Sequence, residues 1–126
     1  MVGEGPALAE LKRKYTKDVY WAGVLSQHQL AQFYAASDVF VFPSKTDTFG
    51  LVLLKAMACG LPVAAYPVTG PLDVIGDSGA GALDWDLRAA CIKALAIPRE
   101  NARAHAQKFS WTVCARQFAE HLRPVR

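Results

Sequence analysis

The chain has 126 residues, 52% hydrophobic and 20% charged, which suits one globular domain spanning residues 1–126. A formal charge of +3, carried partly by Arg116, Arg123 and Arg126, is mild and does not favour nucleic-acid binding, for which a basic stripe would be the electrostatic footprint. No apolar run reaches the roughly 20 residues of a membrane span, and residues 1–5 lack the basic and apolar regions of a secretory signal, which leaves only peripheral membrane contact open.

In chain order, Gly5-Pro6 opens a first helix that runs to about Tyr15, because proline's fixed φ suits a first helical position. Val19, Tyr20, Trp21 and Ala22 read as a strand ending at Gly23. Ser26, followed three residues later by Gln29, is a capping-box pattern: the hydroxyl meets a free amide and the glutamine reaches back. The helix it starts runs through Ala36 and sets Leu30, Phe33 and Tyr34 at helical spacing. Residues 38–42 are almost continuously apolar, as in a strand covered on both faces, and Pro43 and Ser44 end it. Residues 49–59 predict a helix closed by Gly60, with Pro62 just beyond and a buried strand over 62–66. A short helix over 71–75, a weak strand over 81–83 and helices over 86–96 and 98–108 follow. Ser110 caps a last helix to about Leu122, whose Trp111, Ala115, Phe118 and Leu122 share one face and read as a strap on the core.

Strands alternating with helices across short loops predict an α/β fold with a doubly wound, Rossmann-like parallel sheet. Ligands sit outside the carboxyl ends of such strands, which directs attention to the loops at 23–26, 43–49 and 67–71. Cys59, Cys91 and Cys114 have no metal-ligand spacing and read as reduced core thiols of a cytoplasmic protein. His28, His105 and His121 fall on polar helical faces and read as surface residues. A helix entered at Phe49-Gly50 aims the unpaired amides of Leu51 and Val52 outward and favours an anion. On those residues alone, Asp47 or Thr48 as a simple N-cap, with Gly50 as a tight turn, reads equally well. Thr69-Gly70-Pro71 repeats the arrangement after the next strand, with Asp73 in the first helical turn, where it also complements the helix dipole. Lys45 reads as a solvated loop lysine.

The run from Phe42 to Val63 carries Phe42-Pro43-Ser44, Asp47, Phe49-Gly50, Ala56-Met57-Ala58, Gly60 and Pro62-Val63 without a gap. It resembles the signature of the GT4 branch of GT-B glycosyltransferases. Gly3-Glu4-Gly5-Pro6, the Gly23 turn, Tyr34-Ala35-Ala36-Ser37-Asp38 and Val68-Thr69-Gly70-Pro71 agree with it, so the likeness runs from Val2 to about Leu122. The resemblance implies the C-terminal, donor-binding half of a GT-B fold. In the family two acids stand eight residues apart, which here means Asp47 and Lys55. The first faces the donor sugar; Asp47 is one methylene shorter than the usual Glu and keeps the chemistry. The second accepts hydrogen bonds from the ribose hydroxyls, and Lys55 departs from it, since an ammonium only donates.

The resemblance further implies that the Phe49, Gly50, Leu51 and Val52 helix start holds a diphosphate. It puts Thr69 and Gly70 beside the donor's sugar and phosphates, and Gly23 and Val24 against the nucleotide base. It assigns acceptor binding to a preceding domain, and places a first strand and a basic loop ahead of Val2. A chain beginning at Met1 is then an N-terminally truncated form whose 39–42 strand lacks one neighbour, an edge that invites a homo-dimer. The expected activity is a retaining transfer from a UDP- or GDP-sugar, with no metal and no cofactor, an unnamed acceptor, and little or no turnover by this chain alone. A non-catalytic nucleotide-binding or interaction module, and a sugar-nucleotide epimerase of GT-B type, are the alternatives.

Overall fold

A computed structural model describes residues 1–123; Arg126, one of the basic residues counted above, lies outside the described residues. Two compact units emerge, Met1–Phe33 and a second from Tyr34 onward.

The first unit holds helix α1 (Leu8–Lys14), entered through a turn in which the Leu8 amide donates to the Gly5 carbonyl at 3.0 Å. None of its residues is buried. The strand expected over residues 19–22 does not form as such. Its backbone is instead tied to the first residues of the chain: the Met1 amino group donates to the Tyr20 carbonyl at 2.8 Å, the Ala22 amide to Met1 at 3.0 Å and the Gly3 amide to Gly23 at 2.8 Å. The two segments run the same way, but the bonds are too irregular for a ladder. The capping box is present as read, with the Gln29 amide donating to Ser26 Oγ at 3.3 Å and the Ser26 amide to Gln29 Oε1 at 3.0 Å. Helix α2 (Gln27–Ala36) follows, and the division between the units falls within it.

The second unit is built on a parallel sheet of β1 (Phe40–Phe42), β2 (Val63–Ala65) and β3 (Gly81–Leu83), in the spatial order β1-β2-β3. Phe40, Val41 and Phe42 pair with Val63, Ala64 and Ala65, which pair in turn with Gly81, Ala82 and Leu83. Helices α3 (Leu51–Ala58), α4 (Thr69–Val74), α5 (Leu87–Leu95), α6 (Arg99–Ala106) and α7 (Trp111–His121) complete it. The alternation along β2 shows why the sheet is doubly wound. Val63 and Ala65 enter one core with Leu53, Met57, Val74, Ile75, Ala80 and Ala102. Ala64, between them, enters the other with Ala90 and Ala94. Small residues at β2 and on α5 let helix and sheet approach closely on that second face.

The expected stops and starts are local and are found where read. The Gly60 amide donates to Met57 and the Leu61 amide to Ala56, at 2.8 and 3.1 Å, with Gly60 at φ 75°: the paired bonds of a Schellman cap. Ser110 Oγ accepts from the Val113 amide at 3.2 Å, and Asp86 Oδ1 accepts from Arg88 and Ala89. Helix α4 begins two residues before the expected Pro71, because a proline within the first turn gives up an amide that has no intrahelical partner anyway.

Three readings need correction. Helix α7 is no strap on this core: none of its residues is buried, Trp111 is 84% exposed and Phe118 69%. Cys114 is exposed rather than a core thiol, while Cys59 and Cys91 are partly buried and all three are free. His105 is half-buried; its Nε2 lies 2.7 Å from the Val74 carbonyl at the end of α4, and its ring meets Phe109 edge-on. Arg99, not singled out in the sequence, donates to the carbonyls of Ser37 (2.7 Å), Ala35 (2.9 Å) and Cys59 (3.5 Å). It thereby ties the end of α2 and the end of α3 to the start of α6. Charge-assisted bonds from one guanidinium to these three carbonyls satisfy acceptors at two helix ends.

Candidate functional site

The loops leaving β1 and β2 meet at the carboxyl edge of the sheet. After β1, Ser44 Oγ donates to the Thr46 carbonyl at 3.0 Å, and Asp47 Oδ1 accepts from the Phe49 amide at 3.0 Å. The second bond closes a tight polar turn that carries the chain into Gly50. Gly50 is buried and left-handed, at φ 75° and ψ 49°, and no side chain caps the helix it precedes. The Leu51 and Val52 amides therefore stand in the first turn of α3 with no hydrogen-bond partner among the described residues. Leu51 is exposed, and Val52 packs its side chain on the core.

After β2, the Val68–Gly70 backbone turns into α4 and comes to rest against the first loop. A methyl group placed on Gly70 would lie 3.2 Å from the Asp47 carbonyl oxygen, 3.3 Å from its Oδ1 and 3.4 Å from its Cβ. A side chain at this position would press on the first loop, which would have to give by a few tenths of an ångström. Together they form an open cleft of about 590 Å³ lined by Lys45, Thr46, Asp47, Thr48, Val68 and Thr69. Lys45 Nζ stands 5.3 Å over the Tyr66 ring, so this lysine is engaged with an aromatic face at the rim of the cleft.

Asp47, Thr69 and Gly70, picked out separately, are thus brought together. Lys55 is not in that cleft. It is exposed and lines a second one, of about 500 Å³, with Phe49, Leu51, Leu54, Phe109 and Trp111. Phe49 reaches Phe109 with ring centroids 6.5 Å apart. The first turn of α3 lies between the two clefts, its Asp47 side polar and its Lys55 side apolar. Asp73 is exposed and lines neither. Gly23, at φ 69°, and Val24, 68% exposed, belong to the first unit.

Sequence reasoning missed Tyr66 and Trp85, which follow β2 and β3 and pack ring against ring at 6.1 Å. The available signal was an aromatic residue within two positions of the end of each of two consecutive strands. Tyr34, at the end of α2, is buried against Phe40; burial, with the Cys59 thiol nearby, pushes its hydroxyl pKa up. Among the described residues no group of three or more His, Cys, Asp or Glu could hold a metal ion, and no helix is long and apolar enough to cross a membrane.

A parallel sheet clothed on both faces, with two loops joined at its carboxyl edge beside an uncapped helix start, defines an α/β domain of the GT-B glycosyltransferase type. Residues 1–111 match the family described as "Glycosyl transferases group 1", and the chain belongs to that family. It is 41% identical over 81 residues to sulfoquinovosyl transferase SQD2 of Arabidopsis thaliana, which covers 64% of this chain and 16% of that protein. To O-antigen chain mannosyltransferase B of Escherichia coli it is 33% identical over 125 residues, covering 90% and 33%. Among solved structures, Anabaena HepE in complex with UDP and glucose superposes with a TM-score of 0.74 at 26% identity, over 94% of this chain and 38% of that one. Sucrose-phosphate synthase from Thermosynechococcus elongatus gives 0.73 at 27%, over 94% and 36%. The chain thus spans between 16% and 33% of the length of those two curated relatives.

Proposed function

We propose that this chain is the donor-binding portion of a retaining glycosyltransferase that takes its sugar from a UDP- or GDP-linked donor. The observation that carries the proposal is the contact of Gly70 with Asp47 beside the partnerless Leu51 and Val52 amides. A diphosphate laid across that helix start would meet two N–H donors and the positive end of the α3 dipole. The donor's sugar would then lie in the cleft of Asp47, Thr48 and Thr69, where a carboxylate accepts hydrogen bonds from its hydroxyls. The ribose would fall toward Lys55, Phe49 and Leu51 on the other side of the same turn. Prearranged amides at a leaving diphosphate stabilise charge that develops as the glycosidic bond breaks. The acceptor and the rest of the catalytic groups would come from outside this chain, which by itself turns over little or no substrate.

UDP and GDP should bind with dissociation constants on the order of 0.1–1 mM, by calorimetry. The absence of heat with either nucleotide in the millimolar range would remove the proposal's basis. Lys55, in place of a hydroxyl-accepting acid, favours a second reading, in which the chain is a non-catalytic nucleotide-binding or interaction module. Donor hydrolysis by the purified chain would exclude it. The same proposal includes self-association, since β1 pairs only with β2 among the described residues and Val41 is 44% exposed. Light scattering that finds only monomer at high concentration would remove that part.

A further inference from the structure

We infer that Lys45 is an oxyanion-binding residue of the Asp47 cleft, set in place by the Tyr66 ring; this rests on the glycosyltransferase reading above. Its partner is an oxyanion at the sugar end of the donor: the sugar-side phosphate of the diphosphate, or an acidic group carried by the sugar itself.

Of the six described residues that line the cleft, Lys45 is the one cation and Asp47 the one anion. They stand two positions apart in the chain, yet among the described residues Lys45 forms no ion pair. Asp47 Oδ1 instead accepts from the Phe49 amide at 3.0 Å and closes its own turn. The Lys45 ammonium stands 5.3 Å over the centre of the Tyr66 ring. A ring face attracts a cation without neutralising it, so the charge stays available to a ligand. An ammonium has three N–H donors and no acceptor, and it bonds most strongly to oxyanions. A donor with its sugar in this cleft brings phosphate charge toward the Asp47 carboxylate, and Lys45 is the lining group that offsets the repulsion. Lys55 belongs to the second cleft.

The arrangement is in place before anything binds. Ser44 Oγ donates to the Thr46 carbonyl at 3.0 Å, a bond that spans Lys45 and holds its backbone in the turn. Tyr66 directly follows β2 and is half-buried, its ring lies 6.1 Å from that of Trp85, and its carbonyl accepts from the Val68 amide at 2.9 Å. The ring therefore draws a long, rotatable side chain toward one position, so less freedom is lost when an anion docks. Tyr66 is a positioning residue, acting through Lys45.

The test titrates the whole chain with UMP, UDP, UDP-glucose and UDP-glucuronate, following backbone amides by NMR, in wild type, Lys45→Met and Lys45→Arg. If the partner is the sugar-side phosphate, Lys45→Met weakens UDP about tenfold and leaves UMP unchanged, as for one charge-assisted bond. If it is an acid on the sugar, Lys45→Met weakens UDP-glucuronate about tenfold and leaves UDP and UDP-glucose unchanged. In either case Lys45→Arg keeps most of the affinity, and the loss in Lys45→Met shrinks at high salt. Tyr66→Leu should reproduce part of that loss for the same ligand, while Tyr66→Phe, which keeps the ring, should not. No change with any ligand in Lys45→Met would overturn the inference, and so would equal weakening of UMP and UDP. Weakening of UDP-glucose but not of UDP would assign Lys45 to a neutral sugar hydroxyl and overturn it too. Failure of UDP to bind the wild-type chain sinks the donor-site reading itself, whereas UDP binding that ignores Lys45 sinks only this inference.

Discussion

Gly50→Ala is the substitution most revealing of how the helix start is built. At φ 75° an L-residue with a Cβ carries roughly 1–2 kcal/mol of left-handed strain. The added methyl would also lie 2.8 Å from Leu53 Cδ1 and 3.0 Å from its Cγ. Leu53 is fully buried among Met57, Val63 and Val74, so it can yield only by disturbing that core. Overpacking of this kind costs about 1–3 kcal/mol, giving a total near 2–5 kcal/mol. Gly79→Ala is the internal control: its φ is 72°, yet nothing lies within 4 Å of the new methyl, so only the backbone strain remains. Urea unfolding of the three proteins, followed by circular dichroism, should rank them wild type, Gly79→Ala, Gly50→Ala in falling stability. Equal losses in the two variants would refute the packing argument at Gly50.

Lys55→Glu restores an acceptor where the family expects one; UDP or GDP should then bind about tenfold tighter or better, with inorganic pyrophosphate little changed, since a hydrogen bond to a charged group is worth roughly 1.5–3 kcal/mol. Weaker nucleotide binding in this variant, recovering at high salt, would instead mark Lys55 as a phosphate contact. The Lys93 ammonium, and after it the Asp86 amide, hold the Asp84 carboxyl below the usual carboxylate range. Its folded value being lowered, the pair supports the fold above the unfolded value, near 3.9, and loses that support as pH falls through the folded value. Lys93→Met should raise the Asp84 midpoint in a carboxyl-carbon NMR titration, and an unchanged midpoint would show that the ion pair at 2.8 Å does not persist in solution.

The parts of the fold legible in the sequence are those whose cause is local. Ser26 with Gln29, Ser110, and Gly60 before Pro62 act within one helical turn, and each is found making the bonds its spacing implies. Residues 19–22 were not legible as non-strand, because a ladder depends on the partner's register rather than on the segment's own apolar pattern. Arg99 was invisible for a related reason: its carbonyl partners at Ser37 and Ala35 lie 62 and 64 residues away. The apolar stripe on α7 is real, but periodicity says only that a face is apolar, not what it covers. At the site, the Gly70 and Asp47 motifs were visible singly, while their contact required the parallel pairing of β1 with β2. Lys55 followed the family's eight-residue spacing faithfully, yet helical geometry turns it to the Phe49 and Leu51 side, away from Asp47.

The most direct measurement is a titration of the nitrogen-labelled chain with UDP and with GDP, following every backbone amide. The amides of Gly50, Leu51 and Val52 should shift first and most, as hydrogen bonds to phosphate form at the α3 start, with Thr69 and Gly70 moving alongside them. Shifts confined to α7, or spread evenly without a maximum at residues 50–52, would contradict a diphosphate site at that helix start.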